Sequence, residues 1–402
     1  MATLTVKNVG PIRKAEFEVK KYTVFIGPQG SGKSTLAKLI AIGGDGKLME
    51  PTGKDVKSLV TKFTLDTFID NKISHWNYEE NYYNISYDHD LKFAFTKAGQ
   101  DIVDKFLIIY TEQIENYSQV LSIEEFRNSI EWDGNGRPIY SGNKMAYSSN
   151  FYQQILPQVL GCNSILIPTE RHLFPLLSDS IWSLISSNIT LPESVKGFGT
   201  EFERSRNQLS QLQIPFLGIR YSHESGRDFV YYDADNAVPL ANSASGYQAV
   251  IPLLVTVEHQ RQVSQRRFII EEPELNLYPT AQKDLIYNLV SGLDPEKTYQ
   301  DAEWVFTTHS PYVLSSFNTL MLAYKVGHQS EENRAKVEAL IPARHWINPD
   351  DFSAYYVGGG TVRSIISDTT GLISESELDD VSEDLAGEQD QLLDLYRTSL
   401  HA

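Results

Sequence analysis

Residues 27–34 read Gly27-Pro28-Gln29-Gly30-Ser31-Gly32-Lys33-Ser34, with Thr35 next. Glycines at 27, 30 and 32 let the main chain close into a concavity whose N–H groups converge on an anion. Lys33 adds a point charge, Ser34 offers a hydroxyl to a divalent cation, and a helix dipole beneath them favours negative charge. This is the GxxxxGK[ST] pattern for a nucleoside triphosphate with Mg²⁺, provided that a strand precedes it and a helix follows. Residues 22–26 are apolar and strand-like and 35–40 carry a helical pattern, so the context is met.

Two further strand ends carry chemistry. Phe268-Ile269-Ile270 is an apolar run that ends in Glu271-Glu272, and carboxylates at the C-terminal ends of strands face the ligand edge of an open α/β sheet. Glu271 is placed to hold Mg²⁺ opposite Ser34, and Glu272 to orient or deprotonate the water that attacks a γ-phosphate. Trp304-Val305-Phe306 leads likewise into Thr307-Thr308-His309-Ser310, where His309 can donate to the same phosphate.

The elements that position these groups follow from the pattern. Strands at 4–6 and 16–19 open the chain, and from 163 onward strands alternate with helices: 165–168, helix 201–212, strands 216–221 and 229–232, helix 249–260, strand 268–270, a helix from 280, strand 304–306 and a helix from 311. That order predicts an α/β fold, a P-loop NTPase head on a mixed, largely parallel sheet. Residues 42–162 change character, with helical stretches at 55–68 and 102–117 and aromatic strands at 82–87 and 91–95, and predict a helical/β insertion domain between head segments 1–41 and 163–402. The acidic stretch 375–394 carries a helical stripe through Leu378, Val381, Leu385 and Leu392, expected either to pack on the core or to dock a basic partner.

The chain has 402 residues and a net charge of −17, which disfavours broad tracking along nucleic acid. Cys162 is the single cysteine, apolar runs such as 250–257 are too short to cross a bilayer, and no signal-peptide pattern opens the chain, so a cytoplasmic protein off the membrane is expected.

The ordered set of phosphate loop, Ser/Gly segment 242–248, Glu271-Glu272-Pro273-Glu274 and Thr308-His309-Ser310 resembles ABC-type ATPase heads, and more narrowly the SMC, RecF and overcoming-lysogenization-defect (OLD) group. Lys7-Asn8-Val9-Gly10-Pro11-Ile12 and Ile167-Pro168-Thr169-Glu170-Arg171 are also similar to the compact ATPase subunits of the bacterial anti-phage systems PARIS and Septu. The resemblance covers roughly residues 1–41 and 160–325 and implies ATP as substrate and a composite site, in which Ser243, Ser245 and the Gly246 main chain of one subunit cap a γ-phosphate held by another. Aligning Gly246 with the second signature glycine puts Ala244 at a serine position, and aligning it with the first puts Tyr247 at a glycine position; both registers stay open, and slow turnover is expected. Asn276 matches a dimer-contacting loop or is an exposed turn residue; Gln100, Gln113 and Gln119 compete for a Mg²⁺-sensing role; Arg171 is expected in a buried salt bridge or as a link to the insertion, with no catalytic role.

OLD nucleases continue into a Toprim domain, whereas Tyr355-Tyr356-Val357-Gly358 carries no acid where such a strand would need one. The expectation is an ATP-hydrolysing switch that forms a homodimer or a higher assembly of dimers and controls a separate nuclease or toxin in anti-phage defence, on a trigger of phage origin. The alternative is a RecF- or SMC-like repair ATPase acting on DNA, for which Arg261, Arg266, Arg267 and the stretch 47–62 supply the basic clusters. A transporter ATPase subunit is the third reading, and the long insertion argues against it.

Overall fold

Leu4 and Val6 alternate with Thr3 and Thr5, so β1 (Ala2–Val9) buries one face, and β2 (Ile12–Val19) returns antiparallel beside it with Ile12, Ala15, Phe17 and Val19 inside. The computed structural model describes residues 2–44, 65, 74–80, 83–88, 90–97, 131–132, 138–139, 163–177, 191–263, 266–374 and 387–393. β4 (His75–Glu79), β5 (Tyr83–Asp88) and β6 (Asp90–Phe95) complete a five-stranded antiparallel layer in the order β2-β1-β4-β5-β6.

Residues 75–95 therefore extend the layer that β1 begins, and the division expected at 42 does not follow the strand pairing. Trp76 lies opposite Val6 and Tyr78 opposite Leu4, both fully buried, so the two segments share one apolar face. β7 (Glu131–Trp132) and β8 (Pro138–Ile139) form a separate two-stranded pair. The expected helices at 55–68 and 102–117 fall outside the described residues, Leu65 apart, as do Gln100, Gln113 and Gln119.

The central sheet runs β17-β16-β3-β15-β14-β9, from β3 (Tyr22–Ile26), β9 (Asn163–Ile167), β14 (Arg266–Glu271), β15 (Ala302–Thr308), β16 (Phe352–Gly358) and β17 (Thr361–Ser364). All neighbours are parallel except the β16–β17 hairpin. Phe268, Ile270, Trp304 and Phe306 point into one core, against α4 (Ser245–Val263), α5 (Pro279–Ser291) and α6 (Pro311–Gly327). Phe25, Ile269 and Val305 point into the other, shared with α1 (Lys33–Gly43) and the antiparallel layer. Cover on both faces is why these strands are continuous apolar runs.

β10 (Gln211–Ile214), β11 (Ile219–Glu224), β12 (Arg227–Tyr231) and β13 (Ala237–Pro239) form a four-stranded antiparallel sheet in that order. The expected helix 201–212 is thereby split: after a short α2 (Leu173–Leu177), α3 (Glu193–Gln208) stops at 208, and Leu212 and Ile214 alternate inward as a strand. The strand expected from 216 begins at 219, because Pro215–Leu217 makes a 3₁₀ turn closed by Gly218 at φ 65°. α7 (Glu331–Leu340) follows α6 with Ser330 as its cap. Residues 387–393 are helical and exposed, with Leu392 at 64 % exposure, while Leu378, Val381 and Leu385 of the C-terminal stripe lie outside the described residues. Among the described residues, no helix is long and apolar enough to cross a membrane.

Candidate nucleotide site

β3, β15 and β14 end in register: Ile26 pairs with Thr308, and Glu271 with Thr307, so their loops leave from one edge of the sheet. The first of these loops carries the glycines. Gly27 has φ 151°, and a Cβ there would stand 2.2 Å from the Val357 carbonyl oxygen, so neither the conformation nor the space admits a side chain. Gly32, at φ 106°, leads directly into α1. Pro28, Gln29 and Gly30 are exposed on the lip of the loop, while Lys33 and Thr35 are buried at its base.

Lys33 Nζ donates to the Gly27 and Pro28 carbonyls at 2.8 and 2.9 Å. Burial lowers its pKa, against the upward pull of Glu272 and Glu274, which places both carboxylates within electrostatic reach of the ammonium group. Ser34 donates its hydroxyl to Glu271, and the Thr169 N–H donates to the same carboxylate. Burial raises the Glu271 pKa, with Lys38 on α1 partly opposing it from 4.0 Å. Glu271 Oε1 is buried without a hydrogen-bond partner. A hard cation takes oxygen ligands, and an orphaned carboxylate oxygen on a group bonded to the Ser34 hydroxyl fits Mg²⁺.

Glu272 adopts φ 44°, a region that costs a non-glycine residue about 1 kcal/mol or more. Its N–H is fixed by the Thr307 carbonyl at 2.8 Å and its own carbonyl by Arg171 Nη2 at 2.6 Å. The carboxylate thereby lies 3.5 Å from His309 Nε2, and both side chains are about one-third exposed at the sheet edge. Glu274 holds the histidine loop from the other side: its Oε1 accepts from Thr308 Oγ1 at 2.7 Å and from the His309 N–H at 2.8 Å. Ser310 Oγ donates to Gln282 at 2.6 Å and also caps α6.

Ser243, Ser245 and Gly246 stand at the start of α4, which begins at Ser245, so the serine and glycine lie inside its first turn instead of before it. Ala244 caps that turn with its carbonyl alone, accepting from Tyr247 and Gln248 N–H, and Ser245 is exposed. Ser243 Oγ donates to Leu240, while Gln248 Nε2 ties the turn to Ala241 and Ser243. A Cβ on Gly246 would meet the Asn276 carbonyl at 2.8 Å, so the turn is seated on the loop that follows the acid pair. Among the described residues no hydrogen bond or ion pair joins 243–246 to the phosphate loop of the same chain.

The structure thus gathers Lys33, Ser34, Glu271, Glu272 and His309 at one edge and keeps Ser243, Ser245 and Gly246 on an adjacent surface. The AAA ATPase domain family matches residues 44–314, which is more than half of the chain. The chain belongs to that family. The matched span starts just past the phosphate loop and runs to the first turn of α6, so the acid pair and His309 fall within it. No curated protein matches the chain. Among solved structures it is similar, at 10 % identity and a TM-score of 0.39, to an SMC head bound to the C-terminal winged-helix domain of ScpA, over 90 % of this chain and 96 % of that one. It is also similar to the SMC head domain of Thermotoga maritima, at 10 % identity and TM-score 0.36 over 90 % and 97 % of the two chains. A third such structure is an SMC head with an extended coiled coil bound to the C-terminal domain of ScpA from Pyrococcus furiosus, at 10 % identity and TM-score 0.38 over 96 % and 100 %.

Three more groups at the site, Glu274, Lys38 and Arg171, have no catalytic role by sequence alone. Glu274 is the last acid of the Glu-Pro-Glu motif, and its spacing put it in plain view. Lys38 follows Ser34 by four residues, one helical turn, and so reaches the carboxylate that Ser34 bonds. Arg171, expected in a buried salt bridge or as a link to the insertion, donates its hydrogen bonds to main-chain carbonyls. Burial lowers its pKa to about 10, opposed by the surrounding glutamates, so it stays charged at neutral pH.

Proposed function

We propose that the chain binds and hydrolyses ATP and closes head to head with a second copy, each phosphate loop being completed by the other copy's signature turn. The observation that carries this is the division of the site: the cleavage groups converge at one sheet edge, while the exposed Ser245 and the first turn of α4 engage no phosphate loop of their own chain. Lys33 binds the β/γ oxygens, exchanging loop carbonyls for phosphate. Glu272 takes a proton from the attacking water, and His309, 3.5 Å away, donates to the γ-phosphate and keeps Glu272 turned toward it. Ser34 and Glu271 would hold Mg²⁺, which when bound offsets charge on the β- and γ-phosphates.

Supported by the resemblance to PARIS and Septu ATPase subunits, the cycle of closing and opening times the action of a separate effector, a nuclease or toxin. Repair on DNA is the competing reading. Arg261 and Arg267 contribute little to it: both are buried, Arg261 on the Leu289 carbonyl and Arg267 on Glu303. Sedimentation with and without Mg-ATP tests the core of the proposal. Glu272→Gln should accumulate an ATP-bound dimer and Lys33→Ala should remain monomeric and inactive; a Glu272→Gln protein that stays monomeric with ATP bound rules out closure around nucleotide. DNA binding that is tight, salt-sensitive and stimulates hydrolysis would favour repair over effector control.

A further inference from the structure

Three segments of the site end on one side chain. Arg171 is fully buried just past β9, and its Nε donates to the Ala249 carbonyl of α4 at 3.0 Å. Nη1 donates to the carbonyls of Pro168 at 3.0 Å and Glu271 at 2.6 Å, and Nη2 to that of Glu272 at 2.6 Å. The guanidinium is planar with its donors in fixed directions, so these four bonds define where the carbonyls lie relative to one another.

The α4 contact falls at a weak point of the helix. Pro252 lies inside α4, cannot donate to the Gln248 carbonyl four residues back, and crowds the turn that contains Ala249. The ladder of α4 is thus interrupted next to Ala249, one turn beyond Ser245 and Gly246, and the Ala249 carbonyl is held by Arg171. At the other end of the guanidinium stands Glu272, whose φ of 44° is held by Arg171 on one side and Thr307 on the other.

We propose that Arg171 is the positioning residue that couples the signature turn to the hydrolytic carboxylates: a phosphate docking on Ser245 and Gly246 fixes Ala249, and through Arg171 the main chain of Glu271 and Glu272. This rests on the composite-site reading above. When the signature turn is not engaged, slack at Ala249 lets the Glu272 backbone relax from its left-handed conformation, and the carboxylate swings away from its position beside His309. Hydrolysis then waits for the second head. A lysine cannot substitute, because its single nitrogen lacks the Nε donor and cannot bridge all three segments.

The test is a double-mutant cycle on the full chain with Arg171→Lys and Ser245→Ala, reading kcat together with the dissociation constant of a fluorescent ATP analogue. Arg171→Lys should lower kcat about 10- to 100-fold, the scale of a misplaced catalytic group, and leave nucleotide affinity within about threefold. The double variant should be no slower than the slower single one, since both changes break the same link. Fold-changes that multiply would overturn the coupling and leave the composite site standing; a Ser245→Ala protein with unaltered kcat and ATP-dependent association would overturn both. Should Arg171→Lys fail to fold, hydrogen exchange decides: with ATP bound, Ser245→Ala should lose protection in 245–251 and in 266–275 together. Loss confined to 245–251 refutes the link.

Discussion

Two buried arginines mark the two edges of the central sheet. Arg267, at the start of β14, meets carboxylates: Glu303 at 2.5 Å and Glu80 at 3.8 Å, over the Tyr78 ring. Arg171, at the opposite edge past the end of β9, meets carbonyls. At the first edge, the arginine's charge is answered by acids in direct contact, and the pair joins the antiparallel layer to the central sheet. At the second, the charge acts on Glu271, Glu272 and Glu274 through space while their main chain is fixed. An ion pair with Glu272 would have occupied its carboxylate; the carbonyl contacts hold its main chain in place and leave the carboxylate beside His309.

The comparison is tested most strongly at Glu272 itself. Glu272→Gln should lower kcat about 10²- to 10⁴-fold, the usual worth of a general base, with nucleotide still bound; single-turnover kinetics measure this. Next in size, Arg267→Met removes the partner of Glu303 and Glu80, which are part-exposed and can rehydrate, and should cost about 1.5–3 kcal/mol in urea unfolding, the worth of hydrogen bonds to charged groups. The kcat of the folded Arg267→Met protein should stay within about twofold, since nothing at the hydrolytic edge moves. A kcat loss like that expected for Arg171→Lys would erase the distinction between the edges.

Smaller effects sharpen it. Glu274→Gln replaces charge-assisted bonds to Thr308 and His309 by neutral ones, and kcat should fall about three- to tenfold with KM nearly unchanged. In the nucleotide-free protein, where no Mg²⁺ is required, Glu271→Gln should give the least change, one of stability. Burial raises the Glu271 pKa above its ordinary 4.5, so the folded protein binds more protons than the unfolded chain between 4.5 and the raised value. The stability of the wild type therefore falls as pH rises through that window, and the ionised group is a burden at pH 7. Glu271→Gln should melt higher than the wild type without nucleotide at pH 7.5, and the gap should close toward pH 4.5. A gap that widens on acidification would mean that Lys38 and Ser34 outweigh burial.

Much of the candidate nucleotide site was legible because it is written locally. The loop 27–34 and the ends of β14 and β15 each combine an apolar strand with a fixed run of polar residues, and parallel pairing brings such ends together without further instruction. What stayed hidden depends on partners distant in the chain. Glu274 reads as a motif residue until its carboxylate is seen to hold Thr308 and the His309 N–H, 34 and 35 residues on. The pairing of the aromatic strands at 82–87 and 91–95 with β1, through β4, is long-range, and no local pattern announces it. The basic residues at 261 and 267 look like a surface cluster until burial shows where their charge goes.

The sequence by itself determined the phosphate loop, the acid pair, the histidine and the α/β order of the elements, since glycine conformations, apolar periodicity and charge at strand ends are properties of short segments. The tertiary structure alone decided what joins them: the left-handed backbone of Glu272, the seat of Gly246 on Asn276, and the four carbonyls around Arg171. Those carbonyls belong to residues 168, 249, 271 and 272, and every residue carries the same carbonyl. Side-chain identity cannot announce a main-chain partner; only folding brings one within reach of an arginine.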